Sequence, residues 1–184
     1  GMSDTELTVT LNASKSDVPT HTATPIAILA REILQYASTT NDAWIIAQKH
    51  QTFVSESILI GSSLENRSFI IEKTPFQIDS FSVETNVLKC TNHYQSKLLR
   101  NTSSNLDNLK NSASKYRMER LTELINSKSK LSVNDFASIL RDSLDGLITS
   151  LQRETLLIDD YLEKGKDVRL SFENAYLSNE SRYV

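Results

Sequence analysis

Four β-prone runs with short links between them constrain this chain more than any other feature. Phe53–Ile60, Ser68–Lys73, Gln77–Val83 and Val87–Thr91 are each rich in branched or aromatic residues. The stretch Gly61-Ser-Ser-Leu-Glu-Asn66 separates the first two, a length that suits a hairpin. Successive β-runs so closely linked predict an antiparallel meander. A further run, Glu6–Asn12, alternates Thr with Val and Leu and reads as another strand.

Helical patterns lie on both sides of the meander. Thr24-Pro25 predicts a helix start, with Thr as N-cap and Pro at the first helical position. Ile26, Leu29, Ala30, Ile33, Leu34 and Ala37 then recur at helical spacing, which buries one face of residues 25–38. Asn41-Asp42 reads as the cap of a second helix to about Lys49, burying Ala43, Trp44 and Ala47. Residues 95–110 are rich in Ser and Asn and read as an exposed connection. Ser112–Ser127 is helical, with Tyr116, Arg120, Leu121, Leu124 and Ile125 available to one side. Ser132 with Asp135 forms a capping-box pattern ahead of a buried Phe136/Ile139/Leu140 stripe. Leu144–Leu162 could continue as helix, and Val168–Phe172 is β-like. The expected class is α+β, in a single domain of 184 residues.

Composition narrows the chemistry. A net charge of −3 offers no footprint for nucleic acid or an anionic membrane. No run of 18 apolar residues exists, so no membrane span is expected. One Cys excludes an internal disulfide, and with three His it argues against a metal site. His21 and His50 read as solvated, and no cofactor is called for. Four glycines are few for a whole enzyme domain, where tight turns use them.

Candidate chemistry gathers where strands end. Val87-Leu-Lys-Cys-Thr-Asn-His-Tyr94 reads as a buried strand that closes on a carboxamide, an imidazole and a phenol. Leu7-Thr-Val-Thr-Leu-Asn12 likewise ends in Asn. Two carboxamide donors at strand ends could serve one developing oxyanion, the usual need in acyl transfer. Cys90, inside the apolar run, reads as a buried core thiol rather than a nucleophile.

The ordered set of Leu7–Lys15, Thr24–Tyr36, Phe53–Gly61, Ile70–Pro75, Cys90-Thr-Asn-His-Tyr94 and Ser112–Arg117 resembles the isopenicillin-N acyltransferase-like family. That family is also called acyl-coenzyme A:6-aminopenicillanic acid acyltransferase, and the resemblance covers residues 6–142. It implies an N-terminal-nucleophile hydrolase alongside choloylglycine hydrolase: an α-β-β-α sandwich of antiparallel sheets flanked by helices, matured by autoproteolysis. The freed N-terminal Cys then attacks an amide or acyl-thioester, using its own amine as base. Carried over, Asn92 is an oxyanion-hole donor, and Asn12 a second donor or a substrate contact. Arg117 orders the site, with Lys115 as a competing candidate, and His93 and Tyr94 meet the substrate.

The family's nucleophile strands are expected ahead of Leu7 and are not matched here. The chain is therefore expected to be a truncated domain, inactive alone, that pairs with the missing segment or with another copy. The alternative is a degenerate, non-catalytic relative that binds a ligand or partner through the same cleft.

Overall fold

Strand formation follows the alternation of the sequence closely. In the computed structural model, which describes residues 1–14, 22–83 and 87–142, there are four strands. They are β1 (Leu7–Ala13), β2 (Glu56–Ser62), β3 (Arg67–Lys73) and β4 (Ile78–Phe81). They form one antiparallel sheet in the order β1-β2-β3-β4, with Val9 opposite Ile60, Ile58 opposite Ile71 and Lys73 opposite Ile78. The β2–β3 hairpin turns through Ser63–Asn66, where the Asn66 N–H reaches the Ser63 carbonyl at 3.2 Å. Asn66 takes φ 47°, a left-handed conformation that Asn tolerates better than most residues.

Side chains alternate across a strand, so this register sorts the sheet into two unlike faces. On one face Leu7, Val9, Ile58, Ile60, Phe69 and Ile71 pack with Leu29, Ala30 and Ile33 of α1 (Ile26–Tyr36). Ala43, Ile46 and Ala47 of α2 (Thr40–Lys49) join the same core, and Trp44 packs against its margin. Each fully buried Leu or Ile there contributes about 1.5–3 kcal/mol over exposure. The other face carries Asn12, Ser57, Glu72 and Asp79 side by side, one from each strand.

The antiparallel, mixed α+β class is as expected, as are both apolar helix stripes. Several details differ. Residues 87–90 form no strand; they are half-buried and irregular. Pro25 stands at the N-cap of α1 rather than inside it. The cap of α2 is Thr39, not Asn41-Asp42: Thr39 Oγ1 accepts from the Asp42 N–H, and Asp42 accepts from the Thr39 N–H, each at 3.0 Å. Residues 95–110 hold a helix, α3 (Ser103–Asn111), whose inward residues Asn105 and Asn108 are polar and so leave no apolar stripe to read. His50 is not simply solvated, because its Nε2 meets Glu32 Oε2 at 2.8 Å and its Nδ1 lies 3.3 Å from Thr24 Oγ1.

The chain divides into two compact units, Gly1–Leu121 and Thr122–Val184. The first holds the sheet, α1 to α3 and the start of α4 (Ser114–Asn126). In the second, the Ser132/Asp135 capping box of α5 (Val133–Leu140) forms as expected. Its apolar stripe does not bury: Phe136 is 47% and Leu140 77% exposed. An amphipathic period needs a facing apolar layer, and none among the described residues covers these two. The expectations for Leu144–Leu162, Val168–Phe172 and His21 fall outside the described residues.

Candidate active site

The segment 92–96 lacks a strand ladder because side chains take its backbone hydrogen bonds. Asn92 N–H donates to Ser114 Oγ at 2.8 Å, and Asn108 Nδ2 donates to the Asn92 carbonyl. Asn105 holds Tyr94 on both sides, accepting its N–H at 2.7 Å and donating to its carbonyl at 3.1 Å. Glu72 accepts the N–H groups of Gln95 at 2.7 Å and Ser96 at 2.9 Å. Asp79 accepts that of Leu98 at 2.9 Å. Ser114, Asn105, Asn108 and Glu72 are all buried, and the bonds to Tyr94 and Ser96 form away from water, so together they set one backbone path.

That path delivers the Asn92 side chain to the end of β1. Its Nδ2 donates to the Ala13 carbonyl at 2.6 Å, and its Oδ1 accepts from Arg117 Nη2 at 2.8 Å. A carboxamide nitrogen carries two N–H groups, so the contact with Ala13 occupies one donor. Arg117 is half-buried, and its buried Nε has no hydrogen-bond partner among the described residues. Burial lowers the guanidinium pKa from its usual value. Lys115 points elsewhere, exposed and paired with Glu119 at 3.8 Å. Geometry thus brings Arg117, and not Lys115, to Asn92.

Asn12 is one residue from the carbonyl that Asn92 holds. Its half-buried side chain belongs to the polar row with Ser57 opposite. His93 is buried, with Nδ1 2.8 Å from Ser114 Oγ and 3.0 Å from Thr91 Oγ1. Burial, and then the nearby Arg117 charge, lower its pKa, so the ring is neutral at pH 7. Tyr94 is 2% exposed and donates its hydroxyl to the Lys73 carbonyl at 3.1 Å. Burial raises that phenol's pKa.

Cys90 is half-buried and its Sγ donates to the Thr91 carbonyl at 3.4 Å. Burial, with the Glu72 charge adding and the Ser57 hydroxyl opposing, pushes its thiol up to about 11. It is a thiol, not a thiolate, at neutral pH, so it is a poor nucleophile. Among the described residues no group of three or more His, Cys, Asp or Glu could hold a metal ion, and no helix is long and apolar enough to cross a membrane.

Sequence reasoning overlooked Glu72, Asn105, Asn108 and Ser114. One signal was available, since Asn105 and Asn108 stand three apart and share a helix face once α3 exists. Glu72 sits in an apolar run where only the register shows which side it faces.

No curated protein sequence matches the chain. The family model described as acyl-coenzyme A:6-aminopenicillanic acid acyl-transferase matches residues 2–174. The chain belongs to the acyl-coenzyme A:6-aminopenicillanic acid acyltransferase family.

Proposed function

We propose that this chain supplies the oxyanion-stabilising part of a site that hydrolyses or transfers acyl groups at linear amides or acyl-thioesters. The observation that carries this reading is the meeting of the Asn92 carboxamide, the Arg117 guanidinium and the end of β1. In the reaction, the thiol of an N-terminal Cys adds to the substrate carbonyl while its own amine takes the proton. The carbonyl oxygen becomes an oxyanion that accepts from the free Asn92 N–H, with Asn12 as a second donor or a substrate contact. Collapse of the adduct breaks the C–N or C–S bond, and the ammonium returns the proton to the leaving group. Water (hydrolysis) or an acceptor amine or thiol (transfer) then takes the acyl group from the Cys thioester, giving its proton back to the thiolate. Arg117 holds the Asn92 oxygen so that the nitrogen faces the substrate. His93 and Tyr94, both buried, enter this reading as the wall behind the substrate.

The nucleophile in this reading is not Cys90, and the chain alone is inactive. The complete architecture is the α-β-β-α sandwich, with autoproteolysis freeing the nucleophile. The test is a protein extended through the upstream coding sequence, with its candidate Cys→Ala variant beside it. Intact mass should show cleavage before that Cys, abolished in the variant, and turnover on an amide and thioester panel. Asn92→Ala should then lower kcat about 100–1000-fold, as loss of an oxyanion donor does elsewhere, while Cys90→Ala leaves turnover in place. An extended protein that stays intact and turns over nothing sinks the catalytic reading and leaves ligand binding through the same cleft.

A further inference from the structure

A donor at an oxyanion is useful only if its backbone cannot wander, and Asn92 lies in a segment without a strand ladder. Two side chains from outside that segment grip Asn92 itself. Ser114, the first residue of α4 and 0% exposed, accepts its N–H at 2.8 Å. Asn108, from the last turn of α3, donates to its carbonyl. Ser114 Oγ also meets His93 Nδ1 at 2.8 Å and Thr91 Oγ1 at 3.1 Å, so one hydroxyl at the start of α4 holds three consecutive residues of the segment. With both peptide groups of Asn92 anchored, only its two side-chain torsions remain, and the Ala13 carbonyl and Arg117 set those.

We propose that Asn108 and Ser114 are positioning residues that fix the Asn92 carboxamide at the end of β1. The assignment rests on the acyl-transfer reading for its consequence in catalysis, but not for its geometry. Neither side chain reaches the substrate. Asn108 acts through Asn92, so its loss lowers kcat and leaves KM in place, whereas Ser114 also holds His93 and its loss lowers kcat with KM free to move.

Two variants keep the size of the side chains nearly constant. N108D replaces the donor with an acceptor facing the Asn92 carbonyl, and S114A removes the hydroxyl that accepts the Asn92 N–H. Ile71→Val, on the helix-covered face, serves as a destabilised control outside the site. The first readout is solvent exchange of the Asn92 side-chain NH2 in the 15N-labelled chain, its signals assigned by their loss in N92D. Exchange should quicken about tenfold or more in N108D and S114A and stay unchanged in I71V, since each variant removes one hydrogen bond that holds the Asn92 peptide. In N108D the effect should reverse as pH falls through the carboxyl range, because the protonated group donates to the Asn92 carbonyl again. His93 and Arg117 face Asn92 in both proteins, so the ratio to wild type isolates the introduced carboxyl.

The second readout is kcat in the self-processed, extended enzyme, expected to fall 10- to 100-fold in both variants, with KM within twofold in N108D. Folded N108D and S114A proteins whose exchange and kcat both match wild type overturn the positioning role. Faster exchange in the two variants, together with a wild-type extended protein that shows no turnover, instead removes the acyl-transfer reading and leaves the positioning role standing.

Discussion

On the face of the sheet that α1 and α2 cover, Ile58, Ile60, Phe69 and Ile71 meet apolar side chains. On the opposite face, Glu72 and Asp79 meet the backbone N–H groups of Gln95, Ser96 and Leu98. The first kind of contact has no direction, and it tolerates changes that keep volume. The second kind has both direction and number, because each oxygen has a particular N–H to satisfy. The helix-covered face therefore serves stability, while the polar row of the other face, beside the buried Ile70, decides where one chosen segment runs. Burial still charges for that choice: it raises the Glu72 carboxyl above its ordinary value, and the two N–H donors only partly offset this.

Substitutions can set the two faces against each other. The largest effect should come from the apolar side. Ile58→Ala, at a fully buried position, should cost about 2–5 kcal/mol in denaturant unfolding, whereas Ile58→Val costs about 0.5–1.5. On the polar side, Asn105→Ala leaves the Tyr94 N–H and carbonyl without their partner and should cost about 1–3 kcal/mol. Its distinguishing mark is local: amide exchange should quicken at residues 92–96 and not in β2. Equal quickening across the sheet would erase the contrast between the faces.

A smaller effect is expected from His93. Its folded pKa lies below the unfolded value of about 6.5, so the unfolded chain takes up the proton first as pH falls. Stability should be level above neutrality and decline below about pH 6.5, and His93→Asn should remove that slope. Glu72 and Glu56, raised by burial, slope the opposite way, losing stability as pH rises from their ordinary value. The His93 contribution is therefore read as the difference between wild type and variant. The smallest effect belongs to Lys115→Ala, which removes only an exposed pair with Glu119 and should stay within about 0.5 kcal/mol. A large loss there, in stability or in turnover, would reopen the choice between Lys115 and Arg117.

Much of the fold was legible because period reports burial. The Ile26/Leu29/Ile33 stripe and the runs of β1 to β4 each carry their pattern within a dozen residues. The run at Val87–Cys90 has the same composition as those strands and is not one. A strand needs a partner edge, and here the backbone beyond it is claimed by Ser114, Asn108, Asn105 and Glu72. The Asn92-His93-Tyr94 motif was visible as chemistry at the end of an apolar run, although its setting was misjudged. α3 was hidden for a related reason: its buried side chains are asparagines, which read as loop until their partners are known.

By itself the sequence determined the α+β class, the apolar helix faces, the lone thiol and the motif set that marks the family. Those properties are local, written in composition, spacing and order. Tertiary structure alone decided that Arg117 rather than Lys115 reaches Asn92, and that Asn12, Ser57, Glu72 and Asp79 stand in one row. It also decided that side chains, not a neighbouring strand, carry residues 92–96. Register and long-range hydrogen bonds join positions as far apart as Ala13 and Asn92, and no local period records such a pairing.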